Sequence, residues 1–151
     1  MLRTRLKDAL TSAMKAKDDI TVATLRLILA ALKDRDIAAR SKGNFSGIDD
    51  SATLEMLQSM IRQRQESIVL YRAAGRDDLV ERESREIEII SEFLPAQLGE
   101  EEMLAAIRET ISEIGATNLK DMGRTMGMLK ERFAGQMDFA RASAIVKEQL
   151  G

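Results

Sequence analysis

The chain has 151 residues, 23 basic and 25 acidic side chains, a net charge of −2, and neither Cys nor His. That balance excludes a global attraction to nucleic acid or an anionic membrane, so a polyanion partner must be met by a local patch. The two missing residue types exclude thiol nucleophiles, zinc fingers, iron–sulfur clusters and an imidazole general base, leaving carboxylate, lysine or serine chemistry. Hydrophobic residues make up 44%, aromatics only 3%, and there are nine Met and one Pro. A core of Leu, Ile, Ala and Met suits helix-on-helix packing, and the β-branched and aromatic enrichment of a sheet is absent. No apolar stretch approaches the ~20 residues of a membrane span. Without Cys and without an apolar signal region after Met1, a cytoplasmic location is expected.

Taken in chain order, apolar residues recur at helical spacing almost throughout. The first helix carries Leu2, Leu6, Ala9, Leu10, Ala13 and Met14 on one face. After Lys15–Asp19 the pattern restarts with Val22, Leu25, Leu29 and Leu32, while Leu27, Ile28 and Ala31 widen the stripe. That width predicts a helix buried on more than one side. Ser41–Gly47 breaks the pattern and reads as a mobile loop. A third helix starts near Ser51 with Leu54, Leu57, Ile61, Ile68 and Tyr71 on one face, and Gly75 is placed to end it. Asp78–Glu81 has the spelling of a capping box for a fourth helix carrying Leu79, Ile87, Ile90 and Leu94 inward. Pro95 stops that helix and marks the domain boundary.

Three shorter helices are expected beyond it. One follows Gly99, with Glu100, Glu101 and Glu102 at its positive end and Leu104, Ile107, Ile111 and Ile114 inward. The next runs from Thr117 or Asn118 to about Phe133, and the last from Asp138 with Ala142, Ile145, Val146 and Leu150. The expected fold is therefore all-α, about seven helices in two lobes, 1–94 and 95–151, divided near Pro95.

Ser12-Ala13-Met14-Lys15 matches an S-x-x-K spelling, but lies inside an amphipathic helix without the accompanying hydrolase elements, so a helix surface is the better reading. Glu81, Glu83, Glu86, Glu88 and Glu92 crowd the fourth helix. A bundle metal site usually adds the His of Glu-x-x-His, and Arg82 and Arg85 are interleaved for ion pairing, so a salt-bridged face is expected and no metal. Glu83 and Glu86 fall near the apolar stripe and are placed to meet an arginine such as Arg26 or Arg64. Arg62, Arg64 and Arg72 give the third helix a basic flank, read first as structural pairing, including Arg62 with Glu66, and second as an RNA contact.

Asn118–Lys130 is the most informative stretch. Gly123 and Gly127 stand four apart inside a helix, each costing about 1 kcal/mol relative to alanine. Leu119, Met122, Met126, Leu129 and Phe133 form the neighbouring stripe, with Lys120, Arg124 and Lys130 around the glycines. Close packing of another helix into the glycine trough is one reading, and spacing alone favours it. The other is a nucleic-acid backbone approaching the glycines while the cations contact phosphates.

Several motifs in order resemble the GatB/YqeY family over nearly the whole chain. They are Thr24-Leu25-Arg26, Ile61–Ser67, and Gly75–Leu79 followed by Glu83 and Glu86. Phe93–Leu98, Lys120–Gly123, Met126-Gly127, Leu129-Lys130 and Gly135–Asp138 continue the series. The match is to the free-standing YqeY type. The resemblance implies a helical N-terminal lobe and a C-terminal lobe similar to the tail of the B subunit of the glutamine-dependent tRNA amidotransferase, which contacts the tRNA body. It also implies the label of a carbon–nitrogen ligase with glutamine as amido donor. The residues carry neither an amidase signature nor an ATP-binding loop, so no activity of the isolated chain and no cofactor are expected. One departure is Gln136, where family tails often carry a basic residue after the glycine.

Two roles follow as expectations. The first is an accessory tRNA-binding protein using Lys120, Gly123, Arg124, Gly127 and Lys130, with no catalytic residue. The second is an adaptor docking on an amidotransferase or another translation enzyme, the trough receiving a partner helix. Neither DNA nor a membrane is an expected partner.

Overall fold

The computed structural model describes all 151 residues and contains helices and connections only. Seven α-helices, α1 Leu2–Lys15, α2 Asp19–Arg40, α3 Asp50–Ala73, α4 Asp77–Ser91, α5 Glu100–Ile114, α6 Met122–Arg132 and α7 Phe139–Leu150, are joined by loops and one 3₁₀ turn, Leu119–Asp121. The fold is all-α. No helix is long and apolar enough to cross a membrane. The chain forms two compact units, Met1–Leu94 and Pro95–Gly151.

In the first unit, Leu6, Leu25, Ile28, Leu57 and Ile90 are sealed from solvent at the centre of the core. The α1–α2 connection is tight. Lys17 adopts φ 57°, and the Asp18 carboxylate caps α2 by accepting from the Thr21 amide and hydroxyl at 3.3 and 2.7 Å. A left-handed backbone crowds the Cβ of an ordinary residue by about 1–2 kcal/mol. Lys17→Gly is therefore expected to stabilise the chain by about 0.5–1 kcal/mol after glycine's greater unfolded-state freedom is subtracted, read as a rise in Tm.

The segment after α2 is irregular, as expected, yet its far end is pinned. Arg3 holds the Asp36 carboxylate through two hydrogen bonds of 2.7 and 3.0 Å and donates to the Ile48 carbonyl, while Asp36 accepts from the Ile48 amide. This pairing with Arg3 holds the Asp36 carboxyl below the usual carboxylate range. Gly47 sits at φ 91° against this pair, and a Cβ there would stand 2.8 Å from the Arg3 guanidinium. The true cap of α3 is Asp49, whose carboxylate accepts from the Ala52 amide at 2.8 Å, so the helix begins one residue earlier than Ser51.

Two boundary expectations for α4 are corrected. No capping box forms, because the Asp78 carboxylate is taken by Arg76 at 3.1 Å and the helix starts at Asp77 without a side-chain cap. Its last helical residue is Ser91, and turns through Glu92, Phe93 and Leu94 precede Pro95. Arg5 lies 5.6 Å from the Phe93 ring centre, a cation–π contact at this turn.

In the second unit, Met103, Ile107, Leu129, Met137, Ala142, Ile145 and Val146 form the core. The Pro95–Leu98 motif and the Gly135–Gln136 turn meet. The Gln97 side chain donates to the Gly135 carbonyl, and the Leu98 amide donates to the Gln136 carbonyl at 2.8 Å. Gly135 is buried with φ 75°, the left-handed conformation that glycine accepts with least strain. Asp138 caps α7 by accepting from the Ala140 and Arg141 amides.

Four threonines, Thr24, Thr53, Thr110 and Thr125, are buried. Each hydroxyl donates to the carbonyl four residues earlier, at 2.8–2.9 Å, so no polar atom is orphaned.

Candidate nucleic-acid interface

The Asn118 carboxamide accepts from the Lys120 amide at 2.9 Å and opens the 3₁₀ turn that leads into α6. Leu119 belongs to this turn and not to α6, so the α-helical period that groups it with Met122 and Leu129 does not extend to it. It is half exposed, which corrects its expected place in the core. Thr125 takes a fully buried position instead. Leu129 is fully buried, while Met122, Met126 and Phe133 pack on the core more peripherally.

The opposite side of α6 is open. Gly123, Arg124, Gly127, Lys130 and Glu131 are exposed, as is Lys120 just before the helix. At 100° per residue the five on the helix share one arc of roughly 120°. A Cβ built on Gly123 or Gly127 would meet nothing within 4 Å. No neighbouring helix of this chain fills the trough. The packing reading, favoured by spacing, is thus corrected within the chain: the glycines face outward, and the buried side of α6 is built from other residues.

The five expected site residues are brought together, though they differ in freedom. Lys120 and Lys130 carry no ion pair. Arg124 reaches back to donate to the Ile114 carbonyl at 3.1 Å, completing the C-terminus of α5, and approaches Asp121 at 3.3 Å. Asp121 also accepts from the Thr117 amide, the main cause of its lowered carboxyl pKa. Glu131 adds one carboxylate to the rim. Acidic side chains outnumber basic ones in this unit, so its net charge offers a polyanion no general attraction.

The other candidates have structural settings. Ser12 and Lys15 are exposed at the end of α1. Glu86 is 7% exposed and lies between two arginines, Arg64 at 2.8 Å and Arg82 at 3.3 Å. Glu83 stands 3.9 Å from Arg64. Burial, followed by the nearby Glu86 charge, raises the Glu83 carboxyl above its ordinary pKa. Of the two arginines considered for these carboxylates, Arg64 is the partner, and Arg26 is exposed. Helical spacing could not decide this, since it orders residues within a helix and says nothing of which arcs of two helices meet.

Three comparisons with curated proteins give a consistent result. A protein from Lachancea thermotolerans named Altered inheritance of mitochondria protein 41, mitochondrial, is 37% identical over 116 residues, 75% of this chain and 59% of its own length. The protein of the same name from Eremothecium gossypii is 34% identical over 115 residues, 75% of this chain and 61% of its own length. A Saccharomyces cerevisiae protein of that name is 36% identical over 89 residues, 59% of this chain and 46% of its own length. The chain thus spans about half to three fifths of the relatives it matches. All three are named as mitochondrial proteins, which overturns the expected cytoplasmic location. Neither the lack of Cys nor the residues after Met1 separate cytoplasm from an organelle interior. The Yqey-like protein profile matches residues 3–150, and the chain belongs to that family.

Proposed function

We propose that this protein is a non-catalytic accessory module that binds RNA, tRNA in particular, through the open face of α6. The observation that carries this reading is the pair of mid-helix glycines on an exposed surface, with no intramolecular neighbour to account for them. Each sacrifices about 0.5–1 kcal/mol of helix stability relative to alanine. In return the helix backbone is left accessible to a bulky partner, with Lys120 and Lys130 free at the margins. A sugar–phosphate backbone suits this surface, since it needs close approach and cations rather than base-reading side chains. The likeness of the C-terminal unit to an amidotransferase tail supports tRNA as the RNA. The names of the relatives support a mitochondrial setting.

The test combines stability with binding. Gly123→Ala and Gly127→Ala are each expected to raise stability by about 0.5–1 kcal/mol, because the added methyl meets open space. Gly127→Leu is expected to fold normally and to lose tRNA affinity in fluorescence-anisotropy titrations. Unchanged affinity in Gly127→Leu would overturn the RNA reading. A variant that loses binding to a translation enzyme while keeping its RNA affinity would favour the adaptor, for which half-exposed Leu119 beside the trough offers an apolar anchor.

A further inference from the structure

The wide apolar stripe of α2 is covered on one side only. Leu25, Ile28 and Leu32 are buried against the core. Leu27 and Ile37 remain 49% and 50% exposed, with Ala30 exposed between them. The sequence pattern predicts burial on a second side that this chain does not supply. At 1.5 Å per residue, Leu27 and Ile37 stand about 15 Å apart along the axis, a span of nearly three helical turns. The small Ala30 leaves a depression between these two larger side chains.

The charge around this face identifies what fits it. Arg26, Lys33 and Arg40 recur every seven residues along one flank, exposed and without salt bridges. We propose that the exposed face of α2 docks an acidic amphipathic helix of another protein, whose apolar side chains seat on Leu27, Ala30 and Ile37 and whose carboxylates meet the Arg26–Lys33–Arg40 row. The arrangement follows the logic of a coiled-coil seam, with an apolar strip and charges beside it choosing the partner. Asp34, the one carboxylate on this face between Leu27 and Arg40, meets a lysine or arginine of the partner and sets its register. Helix-in-groove recognition of this kind reads anchors at i, i+3, i+4 and i+7.

A second copy of the chain fits poorly. In an antiparallel pair of α2 helices the basic row would face its own copy. In a parallel pair it would face Arg35 on the other flank, which is also basic. Repulsion disfavours both. A nucleic acid would use the cations but leave Leu27 and Ile37 without a role.

The proposal is independent of the α6 face, and the experiment uses the full chain. The probe is a synthetic four-turn helical peptide with leucines on one face, glutamates along one flank and a lysine opposite Asp34. A scrambled peptide of identical composition, phosphatidylglycerol vesicles and an RNA duplex are the comparisons. Binding is followed by peptide fluorescence anisotropy, and methyl NMR of the unmodified protein locates it. The expected result is binding of the amphipathic peptide with shifts at Leu27, Ala30 and Ile37. Leu27→Asp and Lys33→Glu are each expected to weaken it by roughly tenfold or more. The Lys120→Gln/Lys130→Gln variant is expected to bind the peptide normally. No binding, shifts elsewhere, equal binding of the scrambled peptide, or insensitivity to both α2 substitutions would overturn the proposal. So would vesicle or RNA binding that depends on Leu27, which would assign the face to a membrane or nucleic acid.

Discussion

Arg64→Met is expected to destabilise the protein by about 3 kcal/mol, measured by denaturant unfolding at neutral pH. Arg64 on α3 donates through Nε to the Glu86 carboxylate at 2.8 Å and through a second nitrogen to the Met60 carbonyl at 3.1 Å. Its removal leaves Glu86, at 7% exposure, and Glu83 beside it with only the solvent-facing Arg82 as counterion. An uncompensated buried charge is the main penalty when one member of such a pair is deleted. The pH dependence identifies the cause. Without Arg64, burial and the Glu86 charge act on the Glu83 carboxyl with less opposition and hold it further above its unfolded value, so the native state binds more protons. Stability therefore falls as pH rises through the carboxylate range and recovers on acidification. The wild-type Glu83 carboxyl already lies in that direction. A double variant, Arg64→Met with Glu86→Gln, is expected to recover a substantial part of the loss at neutral pH. A loss in Arg64→Met that did not diminish between neutral and mildly acidic pH would point to poorer packing instead.

Lys120→Gln/Lys130→Gln is expected to reduce the salt dependence of tRNA binding, lowering the slope of log K against log salt by roughly 1.4–1.8, or 0.7–0.9 for each phosphate no longer neutralised. Weakening should extend across RNA sequences, because cations on phosphates position a partner without reading its bases. The two lysines are the clean probe, since neither holds the fold together. Arg124 is not equivalent. Its bond to the Ile114 carbonyl joins α5 to α6, so Arg124→Gln combines removal of a cation with an unsatisfied helix end. Thermal melts of the double lysine variant should match the parent within about 0.5 kcal/mol, as for surface substitutions generally. An unchanged salt slope would remove RNA from the α6 face.

The helices were legible in the sequence for a simple reason. Spacings such as Leu2–Leu6, Leu25–Leu32 and Ile107–Ile111 repeat at the period of the helix, and a period survives whatever the helix packs against. The end signals were less reliable. Asp18, Asp49 and Asp138 act as caps, whereas Asp78 is diverted to Arg76 although its sequence context suits a cap equally well. Competition between neighbouring side chains decided that case.

The candidate site was legible as a group of residues and not as a surface. Two glycines four apart, with cations around them, stand out in any helix on propensity alone. Whether they face a neighbouring helix or solvent depends on which arc of α6 is covered, and periodicity is silent on coverage. The same gap hid the choice of Arg64 over Arg26, the full burial of Ile89 and Thr125, and the open flank of α2. By itself the sequence determined the all-α class, the positions of the helices and the absence of thiol and imidazole chemistry, because these follow from local period and residue type. Only the tertiary structure decided which charges are shielded and which glycines and apolar faces stay open, because burial is a relation between elements distant in the chain.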